Sequence, residues 1–375
     1  MISKKIYFFI AFVLLAGLAS LLMVNTNGGS IYTNKNSLNK YILSKKCGEF
    51  AGVNRGLLAS CVKSTIESNV TKIGYVATAR DLEKSVELVP EINTICHPYS
   101  HFIGKGAFKE TNSIKKALFT ATSFCEWGYL HGLNIEAGNE YKGVALFNVL
   151  YDGCLYLKEL KGNYFECAHG MGDSFLSSTG SLQEAIKLCD MIKDDEGIHL
   201  NCSQGATNYW ADAIVKKVRE GSTLTTLEKS YIAGEPYAIC NQFTEASDRA
   251  GCYDYAVRLN QVYVGGVEKL IPLCKKFKGT DLASCYKGIG REMAYGQGFS
   301  VERVVAHCVE AEEEGAIAAC VNVLVTSRTQ MFQDRLGKVL KQVCTIKNEE
   351  NTGVRMGCDE SRKGLAPYFE GKFNL

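Results

Sequence analysis

The sequence lacks most of the short motifs that identify a chemistry. It has no C-x-x-C pair, which excludes zinc ribbons, thioredoxin-type redox centres and c-type haem attachment. It also has no H-E-x-x-H, nucleophile elbow, Walker loop or Rossmann fingerprint. Basic and acidic residues almost balance, at 42 and 40, so no overall field attracts nucleic acid, and the sequence also lacks a basic cluster that would bind it. Only 5 prolines interrupt the chain, which favours helices.

Cysteine, in contrast, is abundant and evenly spaced. Seven pairs are separated by 11 to 14 residues, and one pair by 29. An even count at regular spacing predicts a disulfide framework formed in an oxidising compartment. The pairs are Cys47/Cys61, Cys96/Cys125, Cys154/Cys167, Cys189/Cys202, Cys240/Cys252, Cys274/Cys285, Cys308/Cys320 and Cys344/Cys358. The spacing does not decide whether Cys96 and Cys125 bond to each other or belong to different units.

The cysteines also mark a repeat. From Cys240 onward, the first cysteine of each pair recurs every 34 to 36 residues. Apolar residues at helical spacing lead to each first cysteine, a turn follows, and a second helix begins near the second cysteine. Ser300, for example, is placed to cap a helix that ends at Cys308. This period predicts an all-α fold, an α-solenoid of antiparallel helical hairpins with one disulfide in each.

In architecture this resembles the Sel1-like, TPR-related cysteine-rich repeat proteins of secreted bacterial origin, which also close each helix pair with a disulfide. The alanine and Leu-Gly pattern and the shorter cysteine spacing of those repeats are absent here. The resemblance therefore implies a fold, and no functional residue is carried over from it.

The amino-terminal segment predicts export. Residues 1–5 form a short cytoplasmic stub with two lysines, and the apolar run 6–24 is long enough for a transmembrane signal anchor. Residues 25–40 are a polar tether to a helical repeat domain at 41–375. We expect a single-pass protein with its amino terminus in the cytoplasm. Cleavage near Ala19 is the alternative and would release a secreted protein.

Histidines gather where the cysteine spacing is irregular, in residues 91–180, whereas residues 181–375 repeat regularly. His97 and His101 form H-x-x-x-H, which places two imidazoles on one helix face. His131 and His169 complete a predicted site for a divalent transition metal (zinc, iron or manganese), assisted by Asp173 or Glu136. The alternative is that these histidines bond to helix ends. His199 and His307 are expected to be structural.

Residues at equivalent positions in successive helical hairpins predict a polar stripe along one surface. Positions two and six after the second cysteine share a helix face, and in a solenoid such positions align along one surface. They are Trp127/His131, His169/Asp173, Gln204/Asn208, Asp254/Arg258 and Lys287/Arg291. A solvated helix face is the alternative. Glycine three residues after the second cysteine, as in Gly128, Gly170, Gly205 and Gly288, predicts close approach between helices.

Two functions fit these patterns. The first is a membrane-tethered binding or scaffold module that recognises a protein, peptide or glycan through the polar stripe. The second is a metal-dependent enzyme, a hydrolase or oxygenase, with its site in residues 96–173. The histidine cluster favours the second function, and the regular repeat favours the first.

Overall fold

The computed structural model describes residues 42–120, 125–160, 162–192, 194–233, 235–296, 299–331, 337–345 and 348–369. Residues Leu43–Leu375 group into one compact unit. The predicted signal anchor at 6–24 and tether at 25–40 lie outside the described residues. Among the helices of the described part, none is both long and apolar enough to cross a membrane.

The described residues form helices and no strand, as the sequence predicts. Four helices of the first part are α1 (Ile42–Cys47), α2 (Arg55–Ile73), α3 (Tyr75–Leu88) and α4 (Pro90–Asn93). The next are α5 (His97–Thr111), α6 (Ile114–Leu118), α7 (Gly128–Glu140), α8 (Gly143–Glu159), α9 (Tyr164–Thr179), α10 (Leu182–Cys189) and α11 (Glu196–Arg219). The last are α12 (Thr226–Ala233), α13 (Ala246–Val264), α14 (Ile271–Cys274), α15 (Gly279–Tyr295), α16 (Val301–Val309), α17 (Glu314–Met331), α18 (Lys338–Val343) and α19 (Thr352–Phe369).

Side-chain caps start several of these helices where the sequence places them. The Ser300 hydroxyl accepts from the Arg303 amide and begins α16, which confirms that prediction. Asn163 and Asp195 cap α9 and α11 in the same way. The stretch before Cys274 differs from expectation. It splits into a 3₁₀ turn (Val267–Leu270) and the short helix α14, because Pro272 fits only the first turn of a helix.

All eight predicted cysteine pairs are disulfides, with Cα–Cα distances between 5.4 and 5.8 Å. They join Cys47 to Cys61, Cys96 to Cys125, Cys154 to Cys167, Cys189 to Cys202, Cys240 to Cys252, Cys274 to Cys285, Cys308 to Cys320 and Cys344 to Cys358. The described residues include no free cysteine. The pairing therefore confirms the predicted disulfide framework.

The second cysteine of most pairs lies further into its helix than the sequence predicts. Instead of marking the helix start, it stands in the second turn of a long helix, as Cys61, Cys202, Cys252, Cys285, Cys320 and Cys358 do. Cys167 stands in the first turn of α9. The reason is that the connecting loops are short. For example, α15 already begins at Gly279, soon after Cys274, so Cys285 lies in its second turn.

The pair Cys96–Cys125 is arranged differently. These two cysteines bond to each other, which answers the question that the spacing leaves open. They join the residue before α5 to the 3₁₀ turn (Cys125–Trp127) that leads into α7. This disulfide therefore connects two successive long helices at their amino ends, instead of a short helix to the following long one.

The long helices pack in sequence order. Each of α5, α7, α9, α11, α13, α15, α17 and α19 contacts the next member of this series. The residues that the sequence predicts for the metal site and the polar stripe lie on or next to α5, α7, α9, α11, α13 and α15. The packing order of these helices therefore determines which of the predicted residues contact one another.

Glycines make this close packing possible, which confirms the predicted reason for the C-x-x-G pattern. A Cβ at Gly205 of α11 would overlap the main-chain oxygen of His169 in α9. At Gly288 of α15 it would overlap the main-chain oxygen of Asp254 in α13. The helices approach until their backbones nearly touch, so side chains at the contact are held close together.

Candidate metal centre

Three histidines from two helices converge at the irregular disulfide. His97 and His101 lie one turn apart on α5, and His131 lies on α7, which packs against α5. One ring nitrogen from each lies within 4.8 Å of the others. The close approach of α5 and α7 requires glycine here too, because a Cβ at Gly132, next to His131, would overlap the main-chain oxygen of His101. We call His97, His101 and His131 the histidine triad.

The ring orientations of the histidine triad suit one metal ion. The three ring planes are steeply inclined to one another, by 67°, 79° and 65°. A nitrogen lone pair lies in its ring plane, and three mutually steep planes meet at a point, so the lone pairs can converge. The Nε2 atoms of His97 and His101 are 3.3 Å apart and share a hydrogen bond in which either ring can donate. Two nitrogens on one tetrahedral zinc ion lie about 3.3 to 3.4 Å apart, since each Zn–N bond is about 2.0 to 2.1 Å.

Neighbouring acceptors orient two rings of the triad. The Nδ1 atom of His97 is 3.0 Å from the main-chain oxygen of Cys125, and Nδ1 of His131 is 3.2 Å from Oδ2 of Asp173. A proton on each Nδ1 donates to these oxygens and leaves Nε2 with its lone pair, as metal-binding histidines require. The buried Nε2 of His131 has no hydrogen-bond partner. The Cys96–Cys125 disulfide holds the Cys125 carbonyl beside α5.

Burial keeps two members of the triad uncharged. Burial, reinforced by the neighbouring His97, lowers the pKa of His131 well below its usual value. Burial lowers the pKa of His101 in the same direction, and repulsion of a second proton by His97, by His131 and by the ammonium of Lys105 adds to this effect. A metal ligand must be unprotonated, so both histidines are ready for coordination near neutral pH. Burial, together with the neighbouring Asp212 and Glu166, raises the pKa of Asp173 well above its usual range.

His169 lies beside the triad in another orientation. A donor atom of His169, of His131 and of Asp173 all lie within 4.8 Å of one another. However, the His131 and His169 rings stack with only 19° between their planes and centroids 5.2 Å apart. Stacked rings point their lone pairs along nearly parallel planes, an arrangement less suited to one shared ion than the steeply inclined rings of the triad. His169 instead contacts Asn208 at 3.4 Å, and burial lowers its pKa to about 3.

Two other residues from the sequence analysis do not join the cluster. Glu136 is buried on α7, where one oxygen lies 3.2 Å from the ammonium of Lys109 and the other accepts from Asn139. Trp127 is half-buried before α7, with a positive φ of 61°. Both are near the triad in sequence, but their side chains serve other contacts.

The sequence does not predict two of the residues that contact the site. Glu166, in the first turn of α9, places Oε2 at 3.7 Å from Nε2 of His131. Tyr255 of α13 packs its ring at 5.4 Å from that of His169. Neither occupies position two or six after a cysteine, so the repeat pattern could not select them. The packing of α9 against α7 brings Glu166 to the site, and the approach of α13 to α9 brings Tyr255.

The predicted polar stripe forms a network of contacts. Asp254 of α13 accepts from Gln204 at 2.9 Å and pairs with Arg291 at 2.7 Å and with Lys287 at 3.1 Å. Asp254, Gln204 and Arg291 are buried. Burial raises the pKa of Asp254, but the charges of Arg291 and Lys287 outweigh this and keep the pKa below its usual value.

A second part of the network connects to the histidines. Arg258 donates to Asn208, Asp212 and Glu292, each at 2.9 Å. Asn208 in turn contacts His169. The guanidinium of Arg291 lies 3.9 Å above the ring of Tyr255. Much of the predicted stripe is thus buried and paired with itself, unlike a solvated helix face.

His199 occupies a separate ionic cluster. Its Nε2 is 2.9 Å from Oδ1 of Asp248 and 3.3 Å from Oδ1 of Asp190, and Ser203 donates to Asp248. Burial alone would lower the pKa of His199, but the hydrogen bond and charge of Asp248 outweigh it and raise the pKa. The same contacts lower the pKa of Asp248 against the effect of its burial. A protonated ring between carboxylates fits the structural role that the sequence predicts.

This cluster gives a pH prediction. The raised pKa of His199 means that its stabilising contribution is full below the unfolded value of about 6.5 and is lost as pH rises through the folded value. The lowered pKa of Asp248 means that its contribution is present above about 3.9 and is lost as pH falls through the folded value. We expect His199→Gln to cost about 1.5 to 3 kcal/mol at pH 5.5 and less at pH 8.5.

Urea unfolding of the wild-type protein and of His199→Gln at pH 5.5 and at pH 8.5, with a chelator present, measures this difference. His307→Gln is the matched control, because His307 pairs with Glu268 and Glu310 on a more exposed surface. An equal cost of His199→Gln at both pH values would refute the charged pair.

Comparison with known protein families, with curated proteins and with solved structures finds no match to this chain.

Proposed function

We propose that this protein is an exported, disulfide-linked helical repeat protein that binds one divalent transition metal ion at the histidine triad. Three clustered imidazoles with converging ring planes carry the proposal. Zinc fits best among the metals considered, because the Nε2–Nε2 separation of His97 and His101 matches tetrahedral coordination. Asp173 would act as the acceptor that orients His131, and not as a ligand.

Charge around the triad supports a cation. Glu166 and Asp173 both lie beside His131, whose burial keeps it neutral. Arg258, Arg291 and Lys287 are cations of the neighbouring network, and each already faces a carboxylate. A divalent ion would offset the charge of Glu166 and favour the ionised form of the buried Asp173.

The rest of the chain would serve as a scaffold. Eight disulfides are typical of an oxidising extracytoplasmic environment. The sequential packing of the long helices supports the α-solenoid that the repeat predicts, with an amino-terminal anchor or cleaved signal for export. A binding surface for a protein, peptide or glycan has weaker support, because the stripe residues satisfy one another.

Metal analysis of the purified full chain tests this function. After equilibration with zinc and removal of the excess, we expect one zinc ion per chain and a lower melting temperature on adding a chelator. A protein that retains no transition metal, and whose stability is indifferent to chelators, would refute the proposal.

A further inference from the structure

A carboxylate lies at the edge of the histidine triad. Glu166 stands in the first turn of α9, fixed by the hydrogen bond from its amide to the side chain of Asn163. Its Oε2 is 3.7 Å from Nε2 of His131. Unlike Asp173, which is buried on the same helix, the Glu166 side chain is 38% exposed. It therefore lies between the buried His131 and solvent.

Glu166 does not belong to the triad itself. The group of donor atoms within 4.8 Å of one another contains three imidazoles among the described residues and does not include Glu166. Structural zinc sites use four protein ligands, whereas catalytic sites use three and keep a position for water or substrate. A triad of histidines with a solvent-facing carboxylate at one side corresponds to the second arrangement.

We infer that the metal ion has one coordination position open to solvent, and that Glu166 is the acid–base residue beside it for hydrolysis of an ester-like or amide-like carbonyl. This inference rests on the proposed metal site. A bound divalent ion would make the water in that position more acidic. General acid–base catalysis by a carboxylate in hydrogen-bonding reach of that water typically contributes 10²- to 10⁴-fold.

The chemistry balances without an oxidant or a further reactant. Water gives one proton to the carboxylate of Glu166, and its oxygen forms a bond to the carbonyl carbon. The bond from that carbon to the alcohol oxygen then breaks, and the alcohol leaves with the proton from Glu166. Ester and water become acid and alcohol, and Glu166 returns to its ionised form.

The test compares the zinc-loaded full chain with Glu166→Gln, using 4-nitrophenyl acetate as the probe and counting zinc in the same samples. We expect both proteins to hold one zinc ion and the variant to hydrolyse the ester at least about 100-fold more slowly. Azide added to the cobalt-substituted protein should change its visible spectrum, because it enters the open position. Glu184→Gln is the control, since Glu184 is an exposed carboxylate paired with Lys187.

Each other outcome overturns the inference. Loss of zinc from Glu166→Gln would make Glu166 a fourth ligand and the site closed. Equal hydrolysis by both proteins, or none above free zinc, would remove the role of Glu166 while zinc binding still stands. A wild-type chain that binds no zinc would overturn the proposed function as well.

Discussion

Replacing any one histidine of the triad should lower the zinc affinity of the full chain by more than about 100-fold. Removing an orienting neighbour of a ligand usually costs 10- to 100-fold, so removing the ligand costs more. His97→Gln is the most informative variant, because His97 is only half-buried and glutamine leaves the α5 surface polar. Competition titration against a chromophoric chelator measures the affinity.

His169 provides the matched control for this prediction. It is as close to His131 as the triad members are to one another, but its ring stacks on that of His131. His169→Gln should therefore change zinc affinity by less than about tenfold. Asp173→Asn should fall between the two, because it removes the acceptor that orients His131. Equal losses in His97→Gln and His169→Gln would contradict the choice of ligands.

Gly205→Ala should destabilise the protein by about 3 kcal/mol or more, the largest effect that we expect from a single methyl group. The added Cβ would overlap the main-chain oxygen of His169, and backbone cannot move aside as a flexible side chain can. The α9–α11 contact must open, which also shifts His169 and its neighbours. Urea unfolding followed by circular dichroism measures the free energy.

Gly364→Ala is the control, because Gly364 lies exposed within α19 and a Cβ there would meet no other atom within 4 Å. Alanine is the better helix former, so this change should be neutral or stabilising by up to about 1 kcal/mol. A Gly205→Ala variant as stable as Gly364→Ala would show that the long helices do not approach as closely as described.

Much of the fold was accessible from the sequence, because cysteine spacing is a local property. A pair about a dozen residues apart can close one helical hairpin, and pairs such as Cys189–Cys202 do so. The role of Cys96–Cys125 was not accessible in this way. Whether it closes a hairpin or joins two long helices depends on how α5 and α7 pack, which the spacing does not encode.

The candidate site was predictable in part for the same reason. H-x-x-x-H places His97 and His101 on one face of a helix, whatever the rest of the chain does. The approach of His131, and the stacking of His169 instead of its convergence with the triad, depend on the rotation of α7 and α9. Glu166 reaches the site only through the packing of α9 against α7, and Tyr255 only through the approach of α13 to α9, so no local pattern could identify them.

The most direct test of the metal centre is X-ray absorption at the zinc edge of the protein loaded with one zinc ion per chain. The histidine triad predicts about three imidazole nitrogens at about 2.0 to 2.1 Å, with the remaining position occupied by an oxygen from solvent. Any zinc that remains bound to the His97→Gln variant should have one imidazole nitrogen fewer in its first shell. A first shell of oxygen alone, or a spectrum unchanged in that variant, would contradict the account.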